Sequence, residues 1–269
     1  MDLVYIVKAE ERNEDLKYSL RSVAKFVPHD KVWIIGYKPS WVTNVEYIPV
    51  AQNLGSKWKN SVNNIIQACE SDKISDNFVL MNDDFFAIKQ IENLEESINL
   101  SLGNLKNVVN KHKKKKADSN WGKAFVYIDK LLESLGVDRP YYNYESHTPM
   151  LINKKKYLEA MNLPKVKAFM KTSKVLHKRS LYGNLNITGT KVLSRDVKLS
   201  QKKDDTLERA KICDWISVYD GQVGNFKFAK LNNLLHTLFP EPCEYEKPKA
   251  QKIQIKKSTN LPYKTNKYF

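Results

Sequence analysis

The first eighty residues alternate between short apolar runs and amphipathic segments, and this alternation constrains the fold more than any other feature. The apolar runs are continuous and rich in β-branched residues, as buried parallel strands require. Between them, apolar residues recur every three or four positions, which is typical of helices with one buried face. The predicted strands are 3–7, 31–36, 44–50 and 77–81, and the predicted helices are 14–26 and 57–70. This order predicts an α/β fold with a Rossmann-type mixed sheet.

The chain changes character beyond residue 90. Residues 91–136 have helical periodicity on both sides of a lysine run, so we expect a helical insertion there. The helices expected beyond residue 90 are 92–109, 125–135, 154–162 and 225–239. From residue 243 onward the chain is polar and contains many lysines. We therefore predict a single domain over residues 1–242 and a basic C-terminal tail over residues 243–269.

Positive charge is unevenly distributed along the chain. The net charge is +15 and the pI is about 9.5, but much of the basic excess lies in three segments without acidic residues, 111–116, 165–181 and 247–269. Basic patches raise the local concentration of polyanions such as nucleic acid, teichoic-type polymers or anionic membrane surfaces. Lysine-rich helix faces are also common simply because water solvates them, so this second interpretation stays open for each segment.

Cysteine usage and the N-terminus indicate the compartment. Cys69, Cys213 and Cys243 form no C-x-x-C pair, which argues against a disulfide framework and against a zinc knuckle. The N-terminal apolar run is short and lacks a preceding basic region, so we interpret it as a strand and not as a signal peptide. No stretch of the sequence is long and apolar enough to span a bilayer. We therefore expect a cytoplasmic protein without an integral membrane segment.

Two adjacent carboxylates follow the predicted strand 77–81. Asn82, Asp83 and Asp84 stand at the carboxyl end of that strand, where open α/β sheets bind their ligands. Carboxylate oxygens suit Mn²⁺ or Mg²⁺, which are hard cations that also bind substrate phosphates. A turn at a strand end would favour Asn and Asp as well, but the two phenylalanines that follow would anchor the segment rigidly. We predict Asp83 and Asp84 as metal ligands and Asp84 as a catalytic residue. Asn82 and Asp83 are predicted to bind the phosphate-containing substrate that donates the transferred group, called the donor below.

Further candidates for a catalytic and donor-binding site lie on either side of this segment. His147 follows Glu145 closely, and it could complete the metal shell or act as a base on an acceptor hydroxyl, with Glu145 as the alternative base. Lys8 falls at the end of the first strand, where a donor would lie. Arg12 and Arg21 suit bidentate contact with phosphate, although ion pairs with nearby glutamates would explain them equally.

A second group of candidates lies in the acid-free segment 165–181. His177, Lys178 and Arg179 are adjacent there and could bind a diphosphate or an anionic acceptor. Two later acids, Asp196 and Asp220, lie in predicted loops, and the sequence does not decide their role.

Several short motifs, in their order along the chain, resemble the conserved blocks of the Stealth family. They are Leu3-Val4-Tyr5, the helical segment 15–23, Pro39-Ser40-Trp41, Asn60-Ser61, the segment 78–85, and Glu145-Ser146-His147-Thr148-Pro149 followed by Thr172. That family transfers hexose-1-phosphate from nucleotide sugars in capsule synthesis. Its strands are typical of the GT-A nucleotide-sugar fold, in which an Asp-x-Asp-type motif binds the metal.

The resemblance implies a GT-A-like fold, a UDP-sugar donor bound with Mn²⁺ or Mg²⁺, and donor-binding roles for Asn60 and Arg21. The chain departs from the family in one motif, because Ile6-Val7-Lys8 stands where the family has Trp-Val-Asp after the first strand. It is also similar to small phage-encoded glycosyltransferase-like proteins, which work in the host cytoplasm.

The sequence therefore predicts a metal-dependent glycosyltransferase that moves a sugar from a nucleotide-sugar donor to a hydroxyl on an anionic acceptor. DNA with a hydroxymethylated base is one such acceptor, provided that the base is flipped out or single-stranded. One alternative is a Stealth-type hexose-1-phosphate transferase that acts on a cell-surface polysaccharide. Another is a nucleic-acid-binding protein without catalysis, but no helix-turn-helix, RNP-type or zinc signature supports it. A nuclease ranks lower, because Asp2 is the only acid in the first strand.

Overall fold

A five-stranded sheet lies at the centre of the protein, whose computed structural model describes residues 1–114, 119–172, 175–200, 202–203 and 205–248. The strands in this part of the chain are β1 (Asp2–Val7), β2 (Val32–Gly36), β3 (Glu46–Pro49), β4 (Asn77–Asn82), β5 (Phe85–Ala87), β6 (Met150–Asn153) and β7 (Trp215–Ser217). The central sheet has the order β3-β2-β1-β4-β6. Its first four strands are parallel, and β6 runs antiparallel to β4. The predicted α/β class with a mixed sheet is confirmed.

Two helices cover opposite faces of this sheet. Helix α1 (Glu14–Phe26) begins after Asn13, whose side-chain oxygen accepts a hydrogen bond from the Leu16 amide at 2.9 Å, as expected of an N-cap. Helix α2 (Lys57–Glu70) buries its apolar stripe on the other face. Consecutive residues of a strand point to opposite faces, so Leu3 packs in the core beneath α1, and Val4 packs in the core beneath α2.

The predicted insertion contains three helices, α3 (Leu94–Ser97), α4 (Leu105–Lys114) and α5 (Asn120–Ser134). The continuous helix predicted over 92–109 is wrong, because the chain between α3 and α4 forms tertiary hydrogen bonds in place of helical ones. The amide of Asn99 donates to the carbonyl of Pro149 at 3.3 Å, and that of Leu102 donates to the carbonyl of Asn143 at 2.8 Å. Asn99 also has a positive φ of 59°, which a helix does not allow.

The described part of the second half of the chain adds five helices and a strand that pairs with β5, just after β4. The helices are α6 (Lys154–Asn162), α7 (Pro164–Thr172), α8 (Lys178–Asn186), α9 (Thr206–Ile212) and α10 (Ala229–Leu238), the last preceded by a 3-10 turn (Phe226–Phe228). The helices predicted at 154–162 and 225–239 are thus confirmed. Strand β7 pairs antiparallel with β5, with Ser217 opposite Phe85, so it brings a distant part of the chain next to the acid pair.

The first residues of the predicted tail pack against the domain. The amide of Thr43 donates to the carbonyl of Tyr245 at 3.0 Å, and that of Lys247 donates to the carbonyl of Trp41 at 2.8 Å. The tyrosine ring itself is buried in the core beneath α1. The rest of the predicted tail, residues 249–269, lies outside the described residues. Within the described residues, no helix combines the length and the apolar character that a membrane crossing needs.

Candidate functional site

The acid pair lies at the carboxyl edge of the central sheet. Because β1 and β4 are parallel neighbours, with Ile6 opposite Asn82, the residues that follow the two strands meet at this edge. The Asn13 side chain, at the start of α1, donates a hydrogen bond to Asp83 Oδ2 at 2.8 Å. The Lys198 ammonium lies 2.9 Å from Asp84 Oδ2. Separate parts of the chain therefore meet at the edge where open α/β sheets bind their ligands.

Three carboxyl groups of the site have shifted pKa values. Burial, together with the charge of Asp84, raises the pKa of Asp83 to about 6. Burial also acts on Asp84, but the charge and hydrogen bond of Lys198 outweigh it, so the pKa of Asp84 lies below its ordinary value. Burial and the charges of Asp83 and Asp84 raise the pKa of Asp15, in the first turn of α1, to about 8. We call Asp15, Asp83 and Asp84, with Lys8 and Lys198, the acid cluster.

His147 lies beside the acid cluster in a left-handed backbone conformation, with a φ of 58°. Its Nδ1 is 3.3 Å from Asp196 Oδ1, and its charge contributes to lowering the pKa of Asp84. Among the described residues, however, no three His, Cys, Asp or Glu side chains form a group that could hold a metal ion. The predicted ligand set of Asp83, Asp84 and His147 is therefore not brought together, because His147 turns toward Asp196.

The two carboxylates still suit a divalent cation bound together with a substrate. Mg²⁺ and Mn²⁺ are commonly held by one or two carboxylates plus substrate phosphates, without a complete protein cage. The raised pKa of Asp83 reflects the proximity of Asp84 as well as burial, and a cation relieves that repulsion. Asp83 and Asp84 would hold such an ion, and its charge would offset the negative charge of a departing diphosphate.

A groove of about 360 Å³ opens at the carboxyl ends of β2 and β3, next to Ala9, the residue after Lys8. Its walls include Tyr37 and Tyr47, the latter 38% exposed. Gly36 closes the floor with a φ of +111°, and a Cβ there would lie 2.5 Å from the carbonyl oxygen of Val7. The groove therefore depends on glycine at the end of β2.

The other predicted donor-binding residues have different positions. Lys8 lies at the sheet edge and pairs with Glu10 at 3.0 Å and with Asp220 at 3.2 Å. Arg12 is exposed in the loop that leads to α1. Asn60, in the first turn of α2, accepts a hydrogen bond from the Leu54 amide at 3.0 Å and so fixes the loop beside the groove.

Arg21 does not point toward the acid cluster. Its Nε and Nη2 donate to the two carboxylate oxygens of Glu246 at 2.5 and 2.8 Å, and its Nη1 donates to the carbonyl of Phe239 at 3.0 Å. This bidentate pair fastens the segment after α10 to α1. The described contacts of Arg21 therefore do not support the predicted phosphate contact, because its guanidinium group binds residues of its own chain.

Glu145, His177, Lys178 and Arg179 form what we call the buried cluster, at the start of α8. The amide of Ser180 donates to Glu145 Oε1 at 3.2 Å, and His177 Nδ1 lies 3.8 Å from the same oxygen. Arg179 is 5% exposed and donates to the carbonyl of Thr148.

Burial determines the electrostatics of this second cluster. Burial opposes ionisation of Glu145, but the charges of His177, Lys178 and Arg179 outweigh it and lower the pKa of the carboxyl group. Burial lowers the pKa of Lys178 to about 8. The structure does not place His177 and Arg179 on the surface, where the sequence predicted an acceptor-binding patch, because the start of α8 packs into the core. The described contacts of Glu145 are likewise internal to this cluster and do not support its role as a base.

Sequence reasoning missed several residues of the acid cluster. Local pattern marks Asn13 and Asp15 only as helix-start residues, although their position after β1 places them at the ligand-binding edge. Lys198 and Ser217 carry no local signal, since they reach Asp84 from 114 and 133 residues further along the chain.

Comparison with solved structures identifies the architecture. The galactosyltransferase LgtC, solved with donor and acceptor sugar analogs, superposes with a TM-score of 0.55 at 12% identity, over 90% of this chain and 96% of that one. The chain has a GT-A-type glycosyltransferase fold. An active-site mutant of LgtC matches with a TM-score of 0.51 at 14% identity, over 91% of this chain and 99% of that one. The bifunctional glycosyltransferase WbbM matches with a TM-score of 0.56 at 12% identity, over 90% of this chain and 50% of that one.

At these identities the likeness shows a shared fold, and it confirms the predicted GT-A-like architecture. No protein-family model matches the chain, and no curated protein matches it in sequence. The resemblance to the Stealth family therefore stays a prediction.

Proposed function

We propose that the protein is a metal-dependent glycosyltransferase that moves a sugar from a UDP-sugar to a hydroxyl on an anionic acceptor. The observation that carries the proposal is the acid cluster, in which three carboxyl groups lie at the ligand-binding edge of a glycosyltransferase fold and two of them have raised pKa values. A structural turn at this position would not require partly buried carboxyl groups that raise one another's pKa values. Their repulsion costs stability, and a bound cation offsets that cost.

The donor would lie along the carboxyl edge of the sheet. Asp83 and Asp84 would hold the metal with the diphosphate, and the groove beside Tyr37 and Tyr47 would receive the nucleoside, because aromatic rings offer stacking surfaces to a base. Lys8 lies between these two parts, and Glu10 and Asp220 raise its pKa despite partial burial. Its ammonium is available to a phosphate once either acid is displaced.

The acceptor side would include His147. Its Nδ1 lies 3.3 Å from Asp196 Oδ1, so the Asp196 carboxylate would orient the ring while the imidazole takes a proton from an attacking hydroxyl. Exposed lysines on α4 and α7 favour an anionic polymer as the acceptor. DNA with a hydroxymethylated base is one such polymer, and a teichoic-type polymer is another.

The proposed setting is a reducing cytoplasm, because Cys69, Cys213 and Cys243 are all free. If the gene is carried by a phage, that cytoplasm is the host's. We treat residues 1–242 as one catalytic domain.

The test is UDP-sugar turnover with Mn²⁺ or Mg²⁺, in which release of UDP and UMP is measured separately, with and without hydroxymethylated DNA. Asp84→Asn should abolish release, whereas Asp76→Asn, which changes an exposed acid beside Lys154, should leave it intact. UDP release that rises with that DNA supports a DNA glycosyltransferase. UMP release would instead support a Stealth-type hexose-1-phosphate transferase.

Two further outcomes would overturn parts of the proposal. Release that persists in EDTA would remove the metal from the reaction. No release with any donor, alongside salt-sensitive binding to DNA, would leave a nucleic-acid-binding protein on a glycosyltransferase fold.

A further inference from the structure

Lys198 is the side chain most closely bound to Asp84. Its ammonium lies 2.9 Å from Asp84 Oδ2 and 3.5 Å from Ser217 Oγ, and it sits 4.5 Å from the centre of the Tyr219 ring. The Lys198 and Asp84 side chains are only 13% and 15% exposed. Water therefore screens this ion pair much less than a surface pair.

The backbone holds Lys198 in this position. Its amide donates to Asp196 Oδ1 at 3.0 Å, and the residue forms a parallel bridge with Ser217. Ser217 in turn donates from its hydroxyl to Asp84 Oδ2 at 3.0 Å. The ammonium is thus fixed on the same carboxylate oxygen from a defined backbone position, which distinguishes it from a mobile surface lysine.

An ammonium and a divalent cation compete for such a carboxylate. Both are positive, so their repulsion at contact distances is large in a partly buried site. A cation that binds Asp84 must displace Lys198 or accept that repulsion. Displacement leaves a partly buried ammonium without its partner, which is costly unless another anion takes the place of Asp84. The phosphates of a nucleotide donor supply that anion.

We propose that Lys198 is a tethered counter-ion of Asp84 that couples metal binding to nucleotide binding. In the free protein it occupies the carboxylate, so the divalent cation binds weakly by itself. When the nucleotide arrives, the ammonium transfers to the diphosphate and releases Asp84 to the cation. This inference rests on the proposed function, and it makes Lys198 a positioning residue for the metal as well as a contact for the diphosphate.

Lys8 provides the matched control. It also belongs to the acid cluster, but its ammonium pairs with Glu10 and Asp220 and its side chain is 46% exposed. Removing either lysine deletes one positive charge near Asp83, while only Lys198 contacts Asp84. A difference between the two variants therefore measures contact and not the general loss of positive charge.

The experiment measures Mn²⁺ binding by calorimetry at fixed pH and salt, with and without UDP, for the wild type, Lys198→Met and Lys8→Met. In the wild type, UDP should tighten Mn²⁺ binding at least about tenfold, and by reciprocity Mn²⁺ should tighten UDP binding equally. Lys198→Met should bind Mn²⁺ alone about tenfold more tightly than the wild type, and the effect of UDP should largely disappear. Lys8→Met should bind Mn²⁺ without UDP about as tightly as the wild type, and it should weaken only UDP binding, because Lys8 is a proposed phosphate contact and does not contact Asp84. Thermal unfolding verifies that each variant is folded, and Lys198→Gln replaces Lys198→Met if the latter is not.

Three outcomes overturn the inference. Mn²⁺ binding that is unchanged or weaker in Lys198→Met shows that the lysine does not compete for Asp84, and the proposed function survives if the wild type still binds Mn²⁺ and UDP together. If Mn²⁺ binding becomes tighter by the same factor in Lys198→Met and Lys8→Met, the cause is the loss of a positive charge at long range and not the contact of Lys198 with Asp84. Absence of Mn²⁺ binding in every protein, with UDP present, rejects both this inference and the metal-dependent function.

Discussion

The acid cluster and the buried cluster are built from similar side chains, and both lie close to the carboxyl edge of the sheet. In the acid cluster the acids outnumber the lysines, and the pKa of Asp83 and that of Asp15 are raised in consequence. In the buried cluster the bases outnumber the single acid, Glu145, whose pKa is lowered. The carboxyl groups of the first cluster therefore repel one another, whereas the single carboxyl group of the second is surrounded by bases.

We interpret this difference as one between a candidate site and a structural network. Glu145 accepts a hydrogen bond from the first turn of α8 and so stabilises the helix start that carries Arg179. Arg179 lies 5.1 Å from the Phe85 ring and thereby supports the segment just after Asp84. The buried cluster thus forms part of the support behind the acid cluster. Variants in the two clusters should fail in different ways, one in turnover and the other in stability.

The largest expected effect is on turnover in the acid cluster. Asp84→Asn keeps the size of the side chain but removes the charge that holds the metal, so kcat should fall by about 10²- to 10³-fold. The free energy of unfolding should fall by no more than about 3 kcal/mol, because Lys198 loses its partner while the repulsion between Asp83 and Asp84 is relieved. Steady-state kinetics and urea unfolding measure the two quantities. Turnover per folded molecule that stays close to that of the wild type would place Asp84 with the structural network instead.

The next effect is on stability in the buried cluster. Arg179→Met removes a positive charge that favours the ionised Glu145 and a donor to the carbonyl of Thr148, so the free energy of unfolding should fall by about 3 kcal/mol, measured by urea titration. Arg195→Met is the control, since Arg195 is exposed and lies 3.8 Å from Glu208, and it should change stability by less than about 0.5 kcal/mol. Turnover per folded molecule should remain within a few-fold of the wild type. A stable but inactive Arg179→Met would move this residue into the catalytic site.

The sequence predicted those elements around the two clusters that depend on local pattern. The N-cap at Asn13, the helices α1 and α2, and the buried strand ahead of Asp83 follow from short-range periodicity and capping, and the structure contains all of them. A parallel orientation of β1 and β4 then follows from the alternation of strands and helices. From these elements alone, Asp83 could be placed at a ligand-binding edge.

The sequence could not separate the two clusters, because their difference lies in long-range packing. His177 and Arg179 form part of a basic run in the sequence, and only the docking of α8 shows that they are enclosed. Arg21 is similar, since its partner Glu246 is 225 residues away. Lys198 reaches Asp84 through the pairing of β7 with β5, which no local motif announces.

His147 follows Glu145 of the buried cluster in sequence, and the next prediction tests whether it belongs to the acid cluster instead. The expected effect is smaller. His147→Asn keeps a residue type that tolerates the left-handed backbone conformation, but it removes the imidazole that lies against Asp196. We expect kcat to fall by at least about tenfold, with a change in stability below about 1 kcal/mol. His236→Asn, which loses a contact with Tyr18 on α1, is the control and should leave kcat unaffected. An unchanged kcat in His147→Asn would restrict its role to backbone geometry.

The smallest expected effect is a change of stability with pH. It tests the repulsion among the carboxyl groups of the acid cluster. The pKa of Asp15 is about 8 in the folded protein, against 3.8 as its ordinary value, so between these values folding takes up a proton and stability falls as the pH rises. Asp15→Asn has no such carboxyl group. In EDTA, its stability relative to the wild type should therefore increase by at least roughly 1 kcal/mol from pH 5 to pH 8, measured by urea unfolding. Mn²⁺ with UDP should reduce this difference, because bound cations favour the ionised carboxylate. If the difference in stability between Asp15→Asn and the wild type does not depend on pH, Asp15 ionises freely. The repulsion between carboxyl groups would then be confined to Asp83 and Asp84.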